Sequence, residues 1–140
     1  MYQRILVPVD NSASSKVMLA EVARFAKLCP SATIKLVHVV DLAPATSSET
    51  EFMSPSAITD VESAIKRSGA EVLDTAVAQA KAAGLAPEAT VLEIYGQQLA
   101  SAIVDESKNW NADIIIMGTH GYSGLSHLSM GSVAEGVVRH

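Results

Sequence analysis

Four short runs of apolar, largely β-branched residues alternate with helical patterns along this chain, and this alternation constrains the fold more than any other feature. The runs lie at Arg4–Val9, Thr33–Val40, Thr90–Tyr95 and Asp113–Gly118. Their near-continuous hydrophobicity is typical of strands that are buried on both faces of a parallel sheet. Parallel neighbours need right-handed crossover connections. The order therefore predicts an α/β fold, an open and doubly wound parallel sheet with helices on both faces.

The helical patterns between the runs each carry an apolar stripe. The first stripe recurs at i, i+4, i+7 and i+8, through Met18, Val22, Phe25 and Ala26. A capping box at Thr59–Glu62 predicts the start of the second helix, and Gly84 predicts its end. A third helix is predicted over residues 97–110, with Asn111 as its stop. Residues 41–58 are rich in Ser, Thr and Glu, so we predict a long loop there.

Size and composition limit the classes of protein to consider. The 140 residues are most simply one domain, residues 1–140, which is large enough to bury a continuous core. No apolar run approaches the ~20 residues that a membrane span needs. Strand-like sequence begins at Ile5, which leaves no room for a signal peptide, and a cytoplasmic protein is expected. The net charge of −5 argues against a nucleic-acid-binding surface.

A glycine motif follows the fourth apolar run. It reads Met117-Gly118-Thr119-His120-Gly121, then nine residues, then Gly131-Ser132. Glycines in this arrangement suit a backbone that approaches a ligand closely or adopts positive φ. Ser132 and Glu135 fit a capping box, which predicts a helix start. A strand, a glycine-bearing loop and a helix N-terminus together favour the binding of a phosphate, because exposed N–H groups and the helix dipole attract an anion.

The spacing Gly-x-x-Gly, nine residues, Gly-Ser/Thr resembles the nucleotide-binding signature of the ATP-binding branch of the universal stress proteins. The resemblance spans nearly the whole chain and includes the first strand with its terminal Asp10, the serines Ser12 and Ser15, and residues 36–40 and 112–118. It implies a Rossmann-like fold of the adenine nucleotide alpha hydrolase type, with strand order 3-2-1-4 and a fifth strand beyond the fourth. The residues alone do not choose between this order and the flavodoxin-like one.

The resemblance also implies a set of ligand-binding residues. Asp10 would lie near the ribose and the metal–phosphate region, and it is the candidate contact for Mg²⁺ in Mg-ATP. The alternative role for Asp10 is an N-terminal cap of the first helix. Val39 and Met117 would enclose the adenine, with core packing as their alternative. The complete predicted set is Pro8, Val9, Asp10, Val39, Met117, Gly118, Thr119, His120, Gly121, Gly131, Ser132 and Val133.

The glycine motif contains no Lys or Arg, unlike a P-loop, whose lysine reaches the β- and γ-phosphates. Phosphoryl transfer usually depends on positioned charge of that kind. We therefore expect nucleotide binding with slow hydrolysis at most, and no catalytic residue is predicted. The leading hypothesis is an ATP-binding sensor or regulator of a stress response, whose ligated state changes its protein partner. The alternative is a nucleotide-dependent hydrolase or transferase. A phospho-receiver domain would need an aspartate at the end of the third strand, where Tyr95-Gly96 stands.

The fourth run would form an edge strand in a sheet of four. An apolar, unpaired edge templates pairing with another chain and is normally covered. In the universal stress proteins the fifth strand covers this edge and often pairs with its twin across a two-fold axis. The resemblance therefore implies a homodimer, and it leads us to expect residues beyond His140 in the native protein.

Overall fold

The computed structural model describes residues 2–46 and 52–118. Its elements, in chain order, are β1 (Arg4–Pro8), α1 (Ser14–Ala26), β2 (Thr33–Asp41), a short 3₁₀ helix (Ala43–Ala45), α2 (Pro55–Ala82), β3 (Glu88–Ile94), α3 (Leu99–Asn109) and β4 (Ile114–Ile115). The predicted glycine loop from Thr119 onward and the helix predicted at Ser132 lie outside the described residues.

The strands form one parallel sheet in the order β3-β2-β1-β4. This confirms the doubly wound fold and the strand order that the resemblance implied. Ile5 of β1 lies opposite Ile34 of β2 on one side and Ile114 of β4 on the other. The chain moves outward from β1 to β3 and then returns to the far side of β1. The winding direction therefore reverses between β1 and β4.

The two faces of the sheet carry separate core clusters, because successive strand residues point to opposite faces. On one face the strands pack with α1 and α2, through Ile5, Val7, Val9, Ile34, Leu36, Leu19, Val22, Leu73, Ala76 and Ala80. On the other face they pack with α3 and the residue that follows it, through Leu6, Val37, Val39, Ile94, Ile103 and Trp110. In the described ranges, no helix combines the length and hydrophobicity that crossing a bilayer requires.

The predicted start of the second helix is wrong by one turn. Helix α2 begins at Pro55, and the Ser54 hydroxyl accepts a hydrogen bond from the Ala57 N–H at 3.1 Å. Proline suits the first helical position because its missing N–H would have no intrahelical partner there. Thr59 lies inside the first turns, and its hydroxyl donates to the Pro55 carbonyl at 3.0 Å. The loop predicted over residues 41–58 is consequently too long.

The other boundaries differ less from the prediction. Gly84, with φ +92°, follows the C-cap of α2, and Asn111, with φ +58°, follows the C-cap of α3, as expected for helix stops. Strand β3 begins and ends earlier than predicted, and β4 is limited to two residues. Hydrogen bonds to β1 flank β4 on both sides, from the N–H of Asp113 to Arg4 and from the N–H of Ile116 to Leu6.

Gly69 allows α2 to approach the sheet closely. It is buried in the middle of the helix, and a Cβ built on it would lie 2.2 Å from Cγ1 of Val40 in β2. No real Cβ tolerates that separation. The close contact between α2 and β2 explains why a glycine, a poor helix former, interrupts an otherwise favourable helical sequence.

Candidate functional site

The carboxyl-terminal edge of the sheet has a cleft where β1 and β4 lie side by side. In open α/β sheets, ligands bind outside the carboxyl ends of strands at such a reversal of winding. The cleft is lined by the end of β1, the loop after it, the first turns of α1 and the residues that follow β4. These residues are Pro8, Asp10, Ser12, Ser14, Ser15, Met18, Met117 and Gly118. The structure therefore brings together four of the predicted residues, Pro8, Asp10, Met117 and Gly118.

Asp10 lies in this cleft, and two hydrogen bonds orient its carboxylate. Its Oδ1 accepts hydrogen bonds from the Ser12 N–H at 2.8 Å and from the Ser15 hydroxyl at 3.1 Å. The bond to Ser12 is an Asx turn, in which the side chain bonds to the backbone two residues on. The N-cap of α1 is Ala13, without a side-chain hydrogen bond. The alternative role of Asp10 as a helix cap is therefore not realised, because its carboxylate stabilises the preceding turn instead.

The second carboxylate oxygen of Asp10 has a different environment. Oδ2 is buried, and within the described part of the chain it has no hydrogen-bond partner. A buried polar atom without a partner is costly, and the cost falls when a ligand supplies a donor or a cation. A ribose hydroxyl or a Mg²⁺ ion meets that need, so the chemistry of Asp10 fits both.

Asp10 is a single carboxylate rather than part of a cluster of metal-binding side chains in the part of the chain that the structure describes. Among residues 2–46 and 52–118, no group of three or more His, Cys, Asp or Glu side chains is arranged to hold a metal ion. Magnesium commonly binds through one or two carboxylates together with substrate phosphates and water. Asp10 is suited to the role of a single protein ligand in a metal–phosphate complex.

Val39 and Met117, which were predicted to contact the adenine, differ in whether they reach the cleft. Val39 is 6% exposed and packs in the core cluster of the α3 face, against which Met117 also packs. Met117 lines the cleft, whereas Val39 does not. Val9 is buried on the opposite face, with α1 and α2. Val39 and Met117 thus share one face of the sheet, and only Met117 reaches the cleft surface.

Four cleft residues were not in the predicted ligand-binding set, namely Ser12, Ser14, Ser15 and Met18. Ser14 and Met18 belong to the first turns of α1 and line the cleft beside Asp10. The Ser12 and Ser14 hydroxyls are 2.8 Å apart and hydrogen-bonded. The sequence contained a usable signal, because a helix that starts just after a strand end places its first side chains at the same edge of the sheet.

A second space adjoins the cleft through the loop between β1 and α1. This polar groove of about 320 Å³ is bounded on one side by Asp10, Asn11, Ser12 and Ser15. Its other side is the α2 surface, with Ser68, Glu71, Val72, Thr75, Ala76 and Gln79. The groove carries two carboxylates and no Lys or Arg in this lining. Its chemistry therefore does not favour phosphate.

The remaining predicted residues belong to the glycine loop and the helix start after it. Thr119, His120, Gly121, Gly131, Ser132 and Val133 lie outside the described residues. Their part in ligand binding stays a prediction.

Comparison with known proteins agrees with the fold and with the sequence motif. The whole chain, residues 1–140, matches the universal stress protein family. Universal stress protein MJ0531 of Methanocaldococcus jannaschii is 30% identical over 139 residues, which cover 99% of this chain and 77% of that protein.

Solved structures give the same result. The universal stress protein from Archaeoglobus fulgidus superimposes with a TM-score of 0.72 at 25% identity, over 99% of this chain and 92% of that one. A structure of the universal stress protein from Archaeoglobus fulgidus in complex with dAMP has a TM-score of 0.66 at 24% identity, over 99% and 90% of the two chains. The chain described here belongs to the universal stress protein family.

Proposed function

We propose that this protein binds ATP with Mg²⁺ at the carboxyl-terminal edge of its sheet and acts as a nucleotide-dependent sensor or regulator. The observation that carries the proposal is the buried Oδ2 of Asp10 in the cleft between β1 and β4, which has no hydrogen-bond partner among residues 2–46 and 52–118. The complex of a structurally similar universal stress protein with dAMP supports an adenine nucleotide as the ligand.

The ligand would be divided among three groups of residues. Asp10 would accept a hydrogen bond from a ribose hydroxyl or share Mg²⁺ with the phosphates. Met117 and Val39, on one face of the sheet, would contact the adenine. The phosphates would be bound by N–H groups and a hydroxyl of the glycine loop and the helix after it, through Gly121, Gly131, Ser132 and Val133, because such groups favour an anion.

Binding with little turnover follows from the charge of the glycine motif. Residues 117–133 contain no Lys or Arg, so no cation of that segment is available to stabilise a phosphoryl-transfer transition state. A nucleotide-dependent hydrolase or transferase is the second candidate. Steady-state turnover of Mg-ATP separates the two, because rates near ~10 per second are ordinary for enzymes and would favour the second.

Thermal unfolding tests the central proposal. A ligand at 100 times its dissociation constant adds about 2.7 kcal/mol when it binds only the folded state, so Mg-ATP should raise the melting temperature. Mg²⁺ alone and Asp10→Asn are the controls, and the variant should show a smaller shift. An unchanged melting temperature at millimolar Mg-ATP, in folded and nucleotide-free protein, contradicts the proposal.

Variants of the glycine motif test the position of the phosphates. Gly131→Val should weaken ATP binding strongly, because a β-branched side chain would crowd the phosphates and resist positive φ. Ser132→Ala should cost less, since it removes one hydroxyl and keeps the backbone N–H groups. Ser63→Ala is the matched control, at an exposed position of α2. If both loop variants bind ATP like the parent while folded, the phosphates bind elsewhere.

We also propose a homodimer. In the described ranges β4 pairs with one strand, β1, and a two-residue apolar strand at a sheet edge favours coverage by another element. Light scattering at micromolar concentration should give twice the mass of the chain. A monomeric mass contradicts the dimer without affecting the proposal on nucleotide binding.

A further inference from the structure

Asp41, the last residue of β2, bonds two backbone N–H groups through one carboxylate oxygen. Its Oδ1 accepts from the Ala43 N–H at 2.9 Å, in the same segment, and from the Gly96 N–H at 2.9 Å, in the turn between β3 and α3. Beside these bonds, the Leu42 N–H donates to the Ile94 carbonyl at 2.8 Å. We call this set of contacts, between residues 41–43 and residues 94–96, the Asp41 clasp.

The clasp joins two chain segments that have just left the sheet. Asp41 is the register partner of Ile94, the last residue of β3. Beyond that pair and the backbone bond from Leu42 to Ile94, the side chain of Asp41 continues the connection to Gly96. Gly96 has φ +86°, a conformation that costs a residue with a side chain more than it costs glycine. Hydrogen bonds to a carboxylate are stronger than those between neutral groups, so the clasp holds the ends of β2 and β3 together.

The segment after the clasp is packed firmly. Leu42 and Ala45 are fully buried, and the Ala45 N–H donates to the Leu42 carbonyl at 3.0 Å within the 3₁₀ helix. The end of β2 is therefore anchored from two sides, by the clasp and by these buried side chains.

The anchored end of β2 projects past the end of β1. Pro8 pairs with Val37, and the Val9 N–H donates to the Val37 carbonyl at 2.8 Å. Residues 39–41 thus extend beyond the last paired residue of β1, on the side of Asp10 opposite β4. A ligand bound at the end of β1 would meet the end of β2 as a wall.

We propose that Asp41 is a positioning residue for the nucleobase. It does not contact the ligand itself, and it acts by holding the end of β2, with Val39, where the base would bind. This inference rests on the nucleotide site proposed above. If the wall moves, contacts with the purine edge weaken. Specificity is a difference of affinities that depends on how closely the site fits one base rather than another, so selectivity for the base should fall with affinity.

Titrations of the parent and two variants with Mg-ATP and Mg-GTP test this role. Asp41→Ala removes the shared acceptor, and its ATP affinity should fall about tenfold, the equivalent of roughly one charge-assisted hydrogen bond. Its preference for ATP over GTP should shrink at the same time. Asp41→Asn keeps an oxygen in the same place and should restore both quantities. Asp74→Ala, at an exposed position of α2, is the matched control and should bind like the parent.

The other outcomes are distinguishable. Equal losses of ATP and GTP affinity in Asp41→Ala, with selectivity unchanged, would assign the clasp a structural role only and overturn the inference. Parent-like binding by that variant, or a parent without base preference, overturns it as well. If Asp41→Ala does not fold, Asp41→Glu replaces it, because the longer side chain displaces the carboxylate and should show the same loss. A parent that binds no ATP contradicts the proposed function instead.

Discussion

The Ser15 hydroxyl lies 3.0 Å from the backbone carbonyl oxygen of Asp10 and 3.1 Å from its Oδ1. Through this contact the first turn of α1 is joined to the end of β1. Among the described residues, Ser15 is the only polar one with less than a tenth of its surface exposed. Oδ1 is thus hydrogen-bonded, whereas Oδ2 has no partner within the described ranges, which gives the cleft one oriented acceptor.

Ser15→Ala should therefore affect both stability and binding. The substitution removes the hydrogen bond that the Ser15 hydroxyl makes to Asp10, and the free energy of unfolding should fall by about 1 kcal/mol. ATP affinity should fall too, because the carboxylate gains freedom to rotate. Chemical denaturation and titration measure the two effects, and Ser63→Ala provides the exposed control. Unchanged unfolding and binding would show that Ser12 alone orients Asp10.

Gly69→Ala should destabilise the protein, although alanine is the better helix former by about 1 kcal/mol. The added Cβ would meet Cγ1 of buried Val40, and overpacking of this kind costs typically 1–3 kcal/mol. The Val40→Ala background removes the clashing methyl group, so Gly69→Ala should be neutral or stabilising there. Urea denaturation of the four proteins of the cycle measures the coupling. Additive effects would contradict the close contact between α2 and β2.

Lys35 and Glu106 form an ion pair at 2.6 Å, with side chains 12% and 14% exposed, and the Lys35 ammonium lies 5.6 Å from the centre of the Trp110 ring. Glu106→Gln should lower the free energy of unfolding by about 2 kcal/mol, because an uncompensated and largely buried charge remains. Lys35→Met combined with Glu106→Leu should recover much of the loss. Trp110 is the only tryptophan, so its fluorescence follows unfolding directly.

The control for the ion pair is on the protein surface. Glu21 and Arg24 are 3.2 Å apart in α1, with side chains 57% and 74% exposed. Exposed pairs contribute roughly 0–1 kcal/mol, so Glu21→Gln should hardly change the unfolding curve. Similar losses in Glu106→Gln and Glu21→Gln would contradict the importance of burial.

Asp113 should contribute to the acid sensitivity of the fold. Its Oδ2 accepts from the N–H groups of Gln3 and Arg4 at 2.7 and 2.9 Å, and these bonds hold its pKa below the usual value of 3.8. A carboxyl whose pKa is lower in the folded state stabilises the protein above its unfolded pKa. That stability is lost as pH falls from about 4 through the folded pKa.

Asp113→Asn tests this dependence. The variant cannot titrate, so its unfolding free energy should vary less with pH below about 4 than that of the parent. Denaturation at a series of pH values measures the difference in slope, and Asp74→Asn is the exposed control. If the free energy of unfolding of the parent and of Asp113→Asn falls equally below about pH 4, the acid sensitivity of the fold comes from other carboxyl groups.

Local patterns in the sequence were sufficient for the strands, the helices and the doubly wound class. The alternation of apolar runs and apolar helical stripes indicates which faces of the strands and helices are buried. Strands that are buried on both faces are compatible with few folds other than a parallel sheet covered by helices. The ends of α2 and α3 at Gly84 and Asn111 could also be predicted from the sequence, because few residue types adopt a positive φ. The strand order needed the family resemblance. The residues alone left two orders open, since either one buries the same apolar runs.

Contacts between distant segments were decided by the tertiary structure. The buried Oδ2 of Asp10, the clasp from Asp41 to Gly96 and the proximity of Gly69 to Val40 each depend on how close two elements come. Periodicity in a sequence specifies which side of an element is apolar, and it contains no information on separations of an ångström or two. Those separations arise only when helices and strands pack together, and they determine which polar atoms find partners and which remain for a ligand.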